Sequence, residues 1–393
     1  MEQNRIDSPL GIYVHIPFCE KKCFYCDFYS IENHSQRDEF IASLVSEIGH
    51  FSSTHPKLKA DTIFLGGGTP SFLKPQEVEQ LLKALHEAFD ISDQVEFTME
   101  CNPGTVDTAH LSEYRQLGVN RISFGVQSFF DDELKFLQRI HTSQEAVEAF
   151  DKARKVGFEN INIDLMYALP DQPVERHLTN LGRAILLNPT HLSIYALIVE
   201  QGTSLYSAVA GGEIQPADDE TEAAMYEATM SFLTGTGYTH YEVSNYSKPG
   251  RECRHNLKYW NSQDYIGFGP SAHSHLEKDR WWNVSSLKDY ISRTHDKVLP
   301  IASRETLTQS QILDEFVFLN LRQGKLDLNQ LHAKFMFDPD AEFVSKALEA
   351  GYFKRSDGIL YLSNKGFTVC DEIAKEILTK AIEGRYLAIT AGE

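Results

Sequence analysis

The sequence predicts an α/β protein. A partial (β/α)6 barrel, open on one side, precedes a small, mainly helical C-terminal domain of winged-helix type. Three observations predict this. Six short β-branched or aromatic runs alternate with amphipathic stretches up to about residue 215. Several of those runs end in glycine or polar residues. Beyond that point the alternation stops, and three helical patterns with a short hairpin close the chain. Repeated strand–helix–strand units argue for parallel strands joined by right-handed crossovers. A parallel barrel carries its chemistry at the C-terminal tips of its strands.

The elements follow in order. The strand-like runs are "GIYVHIPF" (11–18), "DTIFLGGGTP" (61–70), "VEFTMECNP" (95–103), "RISFGVQSF" (121–129), "INIDLMYALP" (161–170) and "HLSIYALIVE" (191–200). Helical patterns lie between them, among them "PQEVEQLLKALHEAF" (75–89) and "SQEAVEAFDKARKVGF" (143–158). "DETEAAMYEATMSFLTGTGY" (219–238) reads as a further helix. The polar and aromatic stretch 240–285 follows, broken by Gly267, Gly269 and Pro270. From about 303, "TLTQSQILDEFVFLNLRQG", "LDLNQLHAKFM" and "AEFVSKALEAGYFKR" read as helices and "GILYLSNKGF" as a hairpin. The expected division is 1–215 for the barrel, 216–300 for an extension of it and 301–393 for the C-terminal domain.

Composition narrows the function. At 42% hydrophobic residues the chain can fill an ordinary core. No apolar run reaches membrane-spanning length. The start, "MEQNRIDSPLG", has no apolar core of a secretory signal, so a cytoplasmic location is expected. Thirty-seven basic residues against 56 acidic ones give a net charge of −19. That disfavours nucleic acid as a partner, whose binding rests on lysine and arginine contacts.

Three of the six cysteines fall within "HIPFCEKKCFYCDFYS" (15–30), as Cys19, Cys23 and Cys26. Cys101, Cys253 and Cys370 are scattered and read as unpaired thiols. A closed zinc site takes four protein ligands, and so, as a rule, does an iron–sulfur cluster. Three thiolates on a cubane leave one iron without a protein ligand, free to bind something else. The alternatives are a zinc knuckle with a distant fourth ligand, or three unrelated buried thiols.

Cys19, Cys23 and Cys26, with Tyr25 before the last, resemble the CxxxCxxC signature of the radical S-adenosylmethionine (SAM) superfamily. The resemblance runs over almost the whole chain. "IYVHIPFC", "GGGTPS", "ECNPGT", "GVQSF" and "NIDLMYALP" are similar, in the same order, to strand ends of the coproporphyrinogen III oxidase-like branch. It implies a radical SAM barrel with a [4Fe-4S] cluster on the three cysteines and SAM chelated at the free iron. It also implies one-electron cleavage of SAM to methionine and a 5′-deoxyadenosyl radical.

The strand tips suit such a ligand. A zwitterionic sulfonium needs carboxylates for its positive parts and a guanidinium for its own carboxylate. The resemblance places Tyr13, Gly67, Gly68, Thr69, Glu100, Gln127, Arg139 and Asp164 around SAM. Each also has a plainer reading, as a tight turn, a helix cap or a solvated charge.

Two features separate members of the branch. The oxygen-independent oxidase, which decarboxylates porphyrinogen propionates, carries a fourth cysteine two positions past the third. Phe28 stands there in this sequence. "RHNLKYW" (254–260) is similar to the HNxxYW pattern of the branch's heme chaperones. That implies a heme contact at His255, Tyr259 and Trp260, with His273 and His275 as rival ligands. The plainer reading is a satisfied histidine at a turn beside two core aromatics. The expected function is therefore that of a heme chaperone, with heme as cargo, an apo-hemoprotein as acceptor and a reductant protein as partner. The alternatives are the oxidase itself and, against the acidic charge, a radical SAM RNA modifier. No transmembrane segment is expected, and peripheral membrane contact stays open.

Overall fold

A computed structural model of the chain describes residues 8–389, with side chains described to residue 379. The first seven residues, most of the stretch read for a signal, lie outside the described residues.

Six strands form the centre: β1 (Leu10–Ile16), β2 (Lys59–Gly67), β3 (Asp90–Cys101), β4 (Arg121–Gln127), β5 (Asn160–Tyr167) and β6 (His191–Ala196). They lie side by side in chain order, each parallel to the next. Helices separate them, including Pro75–Ala88 and Ser143–Lys155. The second of these begins with a capping box between Thr142 and Glu145.

Side chains alternate across the strands, as a two-residue period requires. One face is apolar. Ile12, Val14, Ile63, Leu65, Phe97, Met99, Ile122, Phe124, Ile161 and Ile163 are buried in one large core. The other face is polar and closes on itself. Asn162 Nδ2 donates to Ser123 Oγ (2.7 Å) and to Ser193 Oγ (2.9 Å), and Asn162 Oδ1 meets His191 Nδ1 at 2.6 Å. This is the barrel interior.

The sheet extends on both sides beyond the six expected strands. β8 (Asn245–Ser247) pairs antiparallel with β6, and β7 (Thr239–Glu242) pairs antiparallel with β8. On the other side β9 (Tyr265–Phe268) pairs parallel with β1, so the parallel array has seven strands rather than six. β10 (His273–Leu276), β11 (Asp279–Asn283) and β12 (Ile301–Thr306) then continue antiparallel. The stretch 240–285 thus holds regular strands that its composition hides. β9 is four residues long with a glycine inside it, too short for alternation to show. That glycine is needed: a Cβ on Gly267 would lie 2.2 Å from the carbonyl oxygen of His273.

The helix Arg254–Trp260 lies against the N-terminal parts of the strands, opposite the tips. Glu96 accepts the amide hydrogens of Arg254 and His255, and Lys258 Nζ donates to the Pro9 carbonyl and meets Asp61. The helix forms a floor to the barrel.

The C-terminal segment has its own core, built from Leu313, Val317, Leu331, Phe353, Leu360 and Ile377 among others. Helices Gln309–Arg322, Leu328–Phe335 and Ala341–Glu349 pack with a small sheet of Lys325–Asp327, Ile359–Leu362 and Phe353–Ser356. One expectation is corrected here. The hairpin pairs 353–356 with 359–362, and residues 364–367 are helical. The third helix stops at Glu349, and Gly351, at φ 78°, turns the chain out of it. Asp357 and Gly358, both at positive φ, make the hairpin turn. Among the described residues no helix is long and apolar enough to cross a membrane.

Candidate functional site

The loop after β1 is pinned at its base. Cys19 N–H donates to the Ile31 carbonyl (3.0 Å), Ile31 N–H to the Pro17 carbonyl (2.7 Å), and His34 Nε2 meets the Cys19 carbonyl (2.9 Å). Within it, Cys19, Cys23 and Cys26 are free, half-buried thiols. All three line one cavity of about 490 Å³ at the strand tips.

Nine of the eleven residues assigned to the cluster and SAM join that wall with their strand tips or the loops after them. Besides the thiols these are Gly67, Gly68, Thr69, Glu100, Gln127 and Asp164, and Arg139 makes a tenth. The Gly-Gly-Thr turn is tied to the cysteine loop by its backbone: Gly68 N–H donates to the Ile16 carbonyl and Thr69 N–H to the Phe18 carbonyl. A Cβ on Gly68 would sit 2.8 Å from the Phe18 carbonyl oxygen, so close approach to β1 demands glycine here. Thr69 Oγ1 donates to Cys19 Sγ at 3.4 Å. Gln127 ends β4 with a left-handed backbone, φ 68°, a sparsely populated conformation for a non-glycine residue.

Tyr13 is elsewhere. It points to the barrel interior one layer below the tips, packed on Phe64, with its hydroxyl 3.1 Å from His15 Nδ1. It lines a second cavity of about 610 Å³, together with Tyr29, Tyr259, Tyr265 and His273. Lys22, Asp27 and Phe28 line both cavities.

Electrostatics describe what the first cavity lacks. Burial, with the nearby Asp164, pushes the Glu100 carboxyl up to about 8; the Gly67 N–H at 3.2 Å and Arg121 offset only part of this. Burial also raises Asp164, against hydrogen bonds from Ser193, Asn162 and Ser123. Two half-buried carboxyls side by side favour a cationic neighbour. Across the cavity, Arg139 Nη1 donates to Cys23 Sγ (3.4 Å) and Nη2 to the Gly125 carbonyl (2.7 Å), while the buried Nε has no partner among the described residues. That guanidinium favours an anion. Burial raises Cys19, and raises Cys26 to about 11. Thiols held up by burial are lowered by a metal, which takes the thiolate.

These residues fit the implied groups. Three thiols line a wall of the cavity, and among the described residues no three His, Cys, Asp or Glu side chains gather as round a single metal ion. The unpartnered Arg139 Nε suits an anionic cluster or a ligand carboxylate. The paired carboxyls of Glu100 and Asp164 suit the positive parts of SAM.

Of the expected heme contacts, His255 and Tyr259 meet each other directly. His255 is 1% exposed, with Nδ1 2.8 Å from Thr62 Oγ1 and Nε2 2.8 Å from the Tyr259 hydroxyl. Burial lowers its pKa to about 3. In this arrangement both ring nitrogens are already hydrogen-bonded. Tyr259 lines the second cavity, and Trp260 is half-buried with its carbonyl accepting from Gln323 Nε2. His275 is buried beside Tyr265, whereas His273 is exposed at the second cavity.

Met166, Tyr195, Ser30 and Lys22 also line the first cavity. Alternation could have found the first two, since each lies two residues beyond an inward polar residue, Asp164 and Ser193.

Comparison with known proteins follows from this geometry. Residues 13–181 match the Radical SAM superfamily. Over 369 residues the chain is 36% identical to the heme chaperone HemW of Bacillus subtilis, covering 92% of this chain and 97% of that protein. It is 42% identical over 267 residues to the heme chaperone HemW of Escherichia coli, covering 67% of this chain and 70% of that one. Among solved structures, the coproporphyrinogen III oxidase HemN of Escherichia coli, a radical SAM enzyme, superposes with a TM-score of 0.81. That match is 24% identical and covers 95% of this chain and 90% of the other.

Proposed function

The chain belongs to the HemW family of the radical SAM superfamily, and from that premise we propose that it is a heme chaperone: it holds a [4Fe-4S] cluster and SAM, binds heme as cargo and passes it to apo-hemoproteins. The chief support is similarity to heme chaperones along 92% of its length. The oxidase likeness, at 24% identity, carries the fold.

Cys19, Cys23 and Cys26 would hold the cluster. Glu100 and Asp164 would face the positive parts of SAM, and Arg139 an anionic group. Gly67, Gly68, Thr69 and Gln127 would shape the pocket at the tips. Tyr13 would support it from the layer below. When bound, such a cluster supplies one-electron reduction of SAM. The chain's own part is to fix orientation and keep water from the tips. Phe28, where the oxidase pattern has a cysteine, supports the chaperone reading over the oxidase.

The finer parts of the proposal are a cytoplasmic location, a reductant protein that supplies electrons, and peripheral contact with a membrane when heme is delivered. The division at about residues 215 and 300 belongs with it. Six free thiols suit a reducing compartment.

The test uses anaerobically purified, cluster-reconstituted protein. Heme is titrated while the Soret band is followed, and transfer to an apo-hemoprotein is then measured. Coproporphyrinogen III conversion is assayed in parallel with SAM and a reductant. Stoichiometric heme uptake and transfer without porphyrin product is expected. Product formation with matching SAM cleavage would sink the chaperone reading.

A further inference from the structure

The second cavity has walls suited to a flat aromatic ligand. Tyr13, Tyr259, Tyr265, Phe28 and Tyr29 face it. Its volume of about 610 Å³ lies within the range of roughly 300–1,000 Å³ common to small-molecule and cofactor sites. Phe28 is 63% exposed and presents its ring at the rim of this cavity. Tyr259 and Tyr265 meet edge to face at 4.6 Å and 90°. Aromatic surfaces of this kind pack on a porphyrin face.

Four histidines lie on or near this wall, and their nitrogens tell them apart. His15 is bonded at both, to the Tyr13 hydroxyl and the Tyr29 carbonyl. His255 is bonded at both, to Thr62 and Tyr259. His275 is buried, with Nδ1 3.5 Å from the Gln263 carbonyl. His273 alone is exposed to the cavity, and neither ring nitrogen has a hydrogen-bond partner among the described residues. Its ring is held by stacking on Trp282, centroids 5.7 Å apart with planes at 23°. Burial and the charge of Arg280 lower its pKa, which keeps the imidazole neutral, the form that binds iron.

Resting on the chaperone reading, we infer that heme binds in this second cavity, against Tyr259 and Tyr265, with His273 as its axial ligand. His255 is then a positioning residue. It is anchored by Thr62 and by the Glu96–amide contact, and its Nε2 holds the Tyr259 hydroxyl from behind. The motif's tyrosine forms the wall, and its histidine sets that tyrosine. Lys22, at the rim of both cavities, is the ammonium available to a propionate. The segment of Lys22, Asp27 and Phe28 separates this cavity from the cysteine cavity, so cargo and cluster share a wall.

The test titrates ferric heme into cluster-loaded full-length protein. Wild type is compared with His273→Ala and His275→Ala. Cluster absorbance and melting temperature report folding. His273→Ala is expected to lose the imidazole-ligated Soret and spin-state signature, with affinity reduced by about 10- to 100-fold or more, at least the cost of removing an outer-shell partner of a metal ligand. Added free imidazole should restore the signature, which a structural defect would not allow. His275→Ala should keep it. A His273→Ala protein that binds heme with unchanged spectrum and affinity overturns the assignment alone. Wild type that takes up no heme overturns the chaperone reading as well.

Discussion

Glu100 makes the first cavity sensitive to pH. Its carboxyl holds its proton up to about pH 8, because it is partly buried and lies beside Asp164. Below that value the site offers SAM a neutral acid; above it, a carboxylate. A cation placed beside a carboxylate lowers its pKa by about 1–3 units. Binding of SAM therefore favours the ionised form, and affinity must rise with pH through the interval between the bound and free pKa values. Each unit of that interval is worth about 1.36 kcal/mol, a factor of ten. The expected gain between about pH 6 and 8.5 is thus roughly 10- to 100-fold, or about 1.4–2.7 kcal/mol. Calorimetric titration of cluster-loaded protein with SAM measures it. SAM's own amino group titrates in the same region, near about 8. Glu100→Gln retains that ligand contribution and removes the carboxyl's, so the difference between the two slopes belongs to Glu100. If the variant keeps the wild-type slope, the cationic part of SAM does not lie against this carboxyl, and the placement of the ligand is wrong.

Two further predictions concern the framework. Gly68→Ala places a methyl 2.8 Å from the Phe18 carbonyl oxygen and 2.9 Å from that of Ile16. Because both contacts are backbone, the cysteine loop must shift; the reconstituted protein is expected to hold less iron per chain while its far-ultraviolet spectrum is kept. Glu47 accepts only donors, from Tyr290, Gly269 and Asn283, and burial raises its pKa to about 7. A carboxyl raised in the folded state stabilises most below its unfolded value and loses that contribution as pH climbs towards the folded one. Glu47→Gln turns one acceptor into a donor facing donors, at a cost of about 1–3 kcal/mol. In urea unfolding the difference between wild type and variant should shrink between about pH 4.5 and 7, and a constant difference would show that Glu47 does not titrate there.

The barrel was legible because its strands repeat two signals at once. Each carries an apolar face for the helices, and each ends at a polar or glycine tip. "INIDLMYA" shows both: Ile161, Ile163 and Leu165 pack outward while Asn162, Asp164 and Met166 turn in. Residues on those tips came together because parallel strands in chain order place all tips at one end. Tyr13 did not, since its position is set by its depth along β1, which spacing from Cys19 does not reveal. β9 escaped notice for a different reason. Its identity as a seventh parallel strand depends on pairing with β1, some 250 residues earlier in the chain, and four residues cannot announce a partner that distant. The hairpin of the C-terminal domain was misplaced because its first strand, Phe353–Ser356, begins within the stretch read as helix, and its turn, Asp357–Gly358, falls where the stretch read as hairpin begins.

The HNxxYW segment bears on the proposed heme site through two of its residues. Pattern matching gives the histidine and the tyrosine equal standing. In the structure they differ in exposure: His255 is buried, whereas Tyr259 lines the second cavity. Glu96 accepts amide hydrogens at the helix N-terminus, and this drives His255 down into the barrel floor, where Thr62 and Tyr259 take both nitrogens. One turn later Tyr259 reaches the cavity wall. A buried imidazole with both nitrogens engaged resists metal binding, since an incoming iron must first break a hydrogen bond and leave its former partner unsatisfied, about 1–3 kcal/mol for a buried polar group. An exposed imidazole stacked on Trp282 meets no such cost. On the proposed reading the axial ligand therefore lies outside the motif, at His273 on β10.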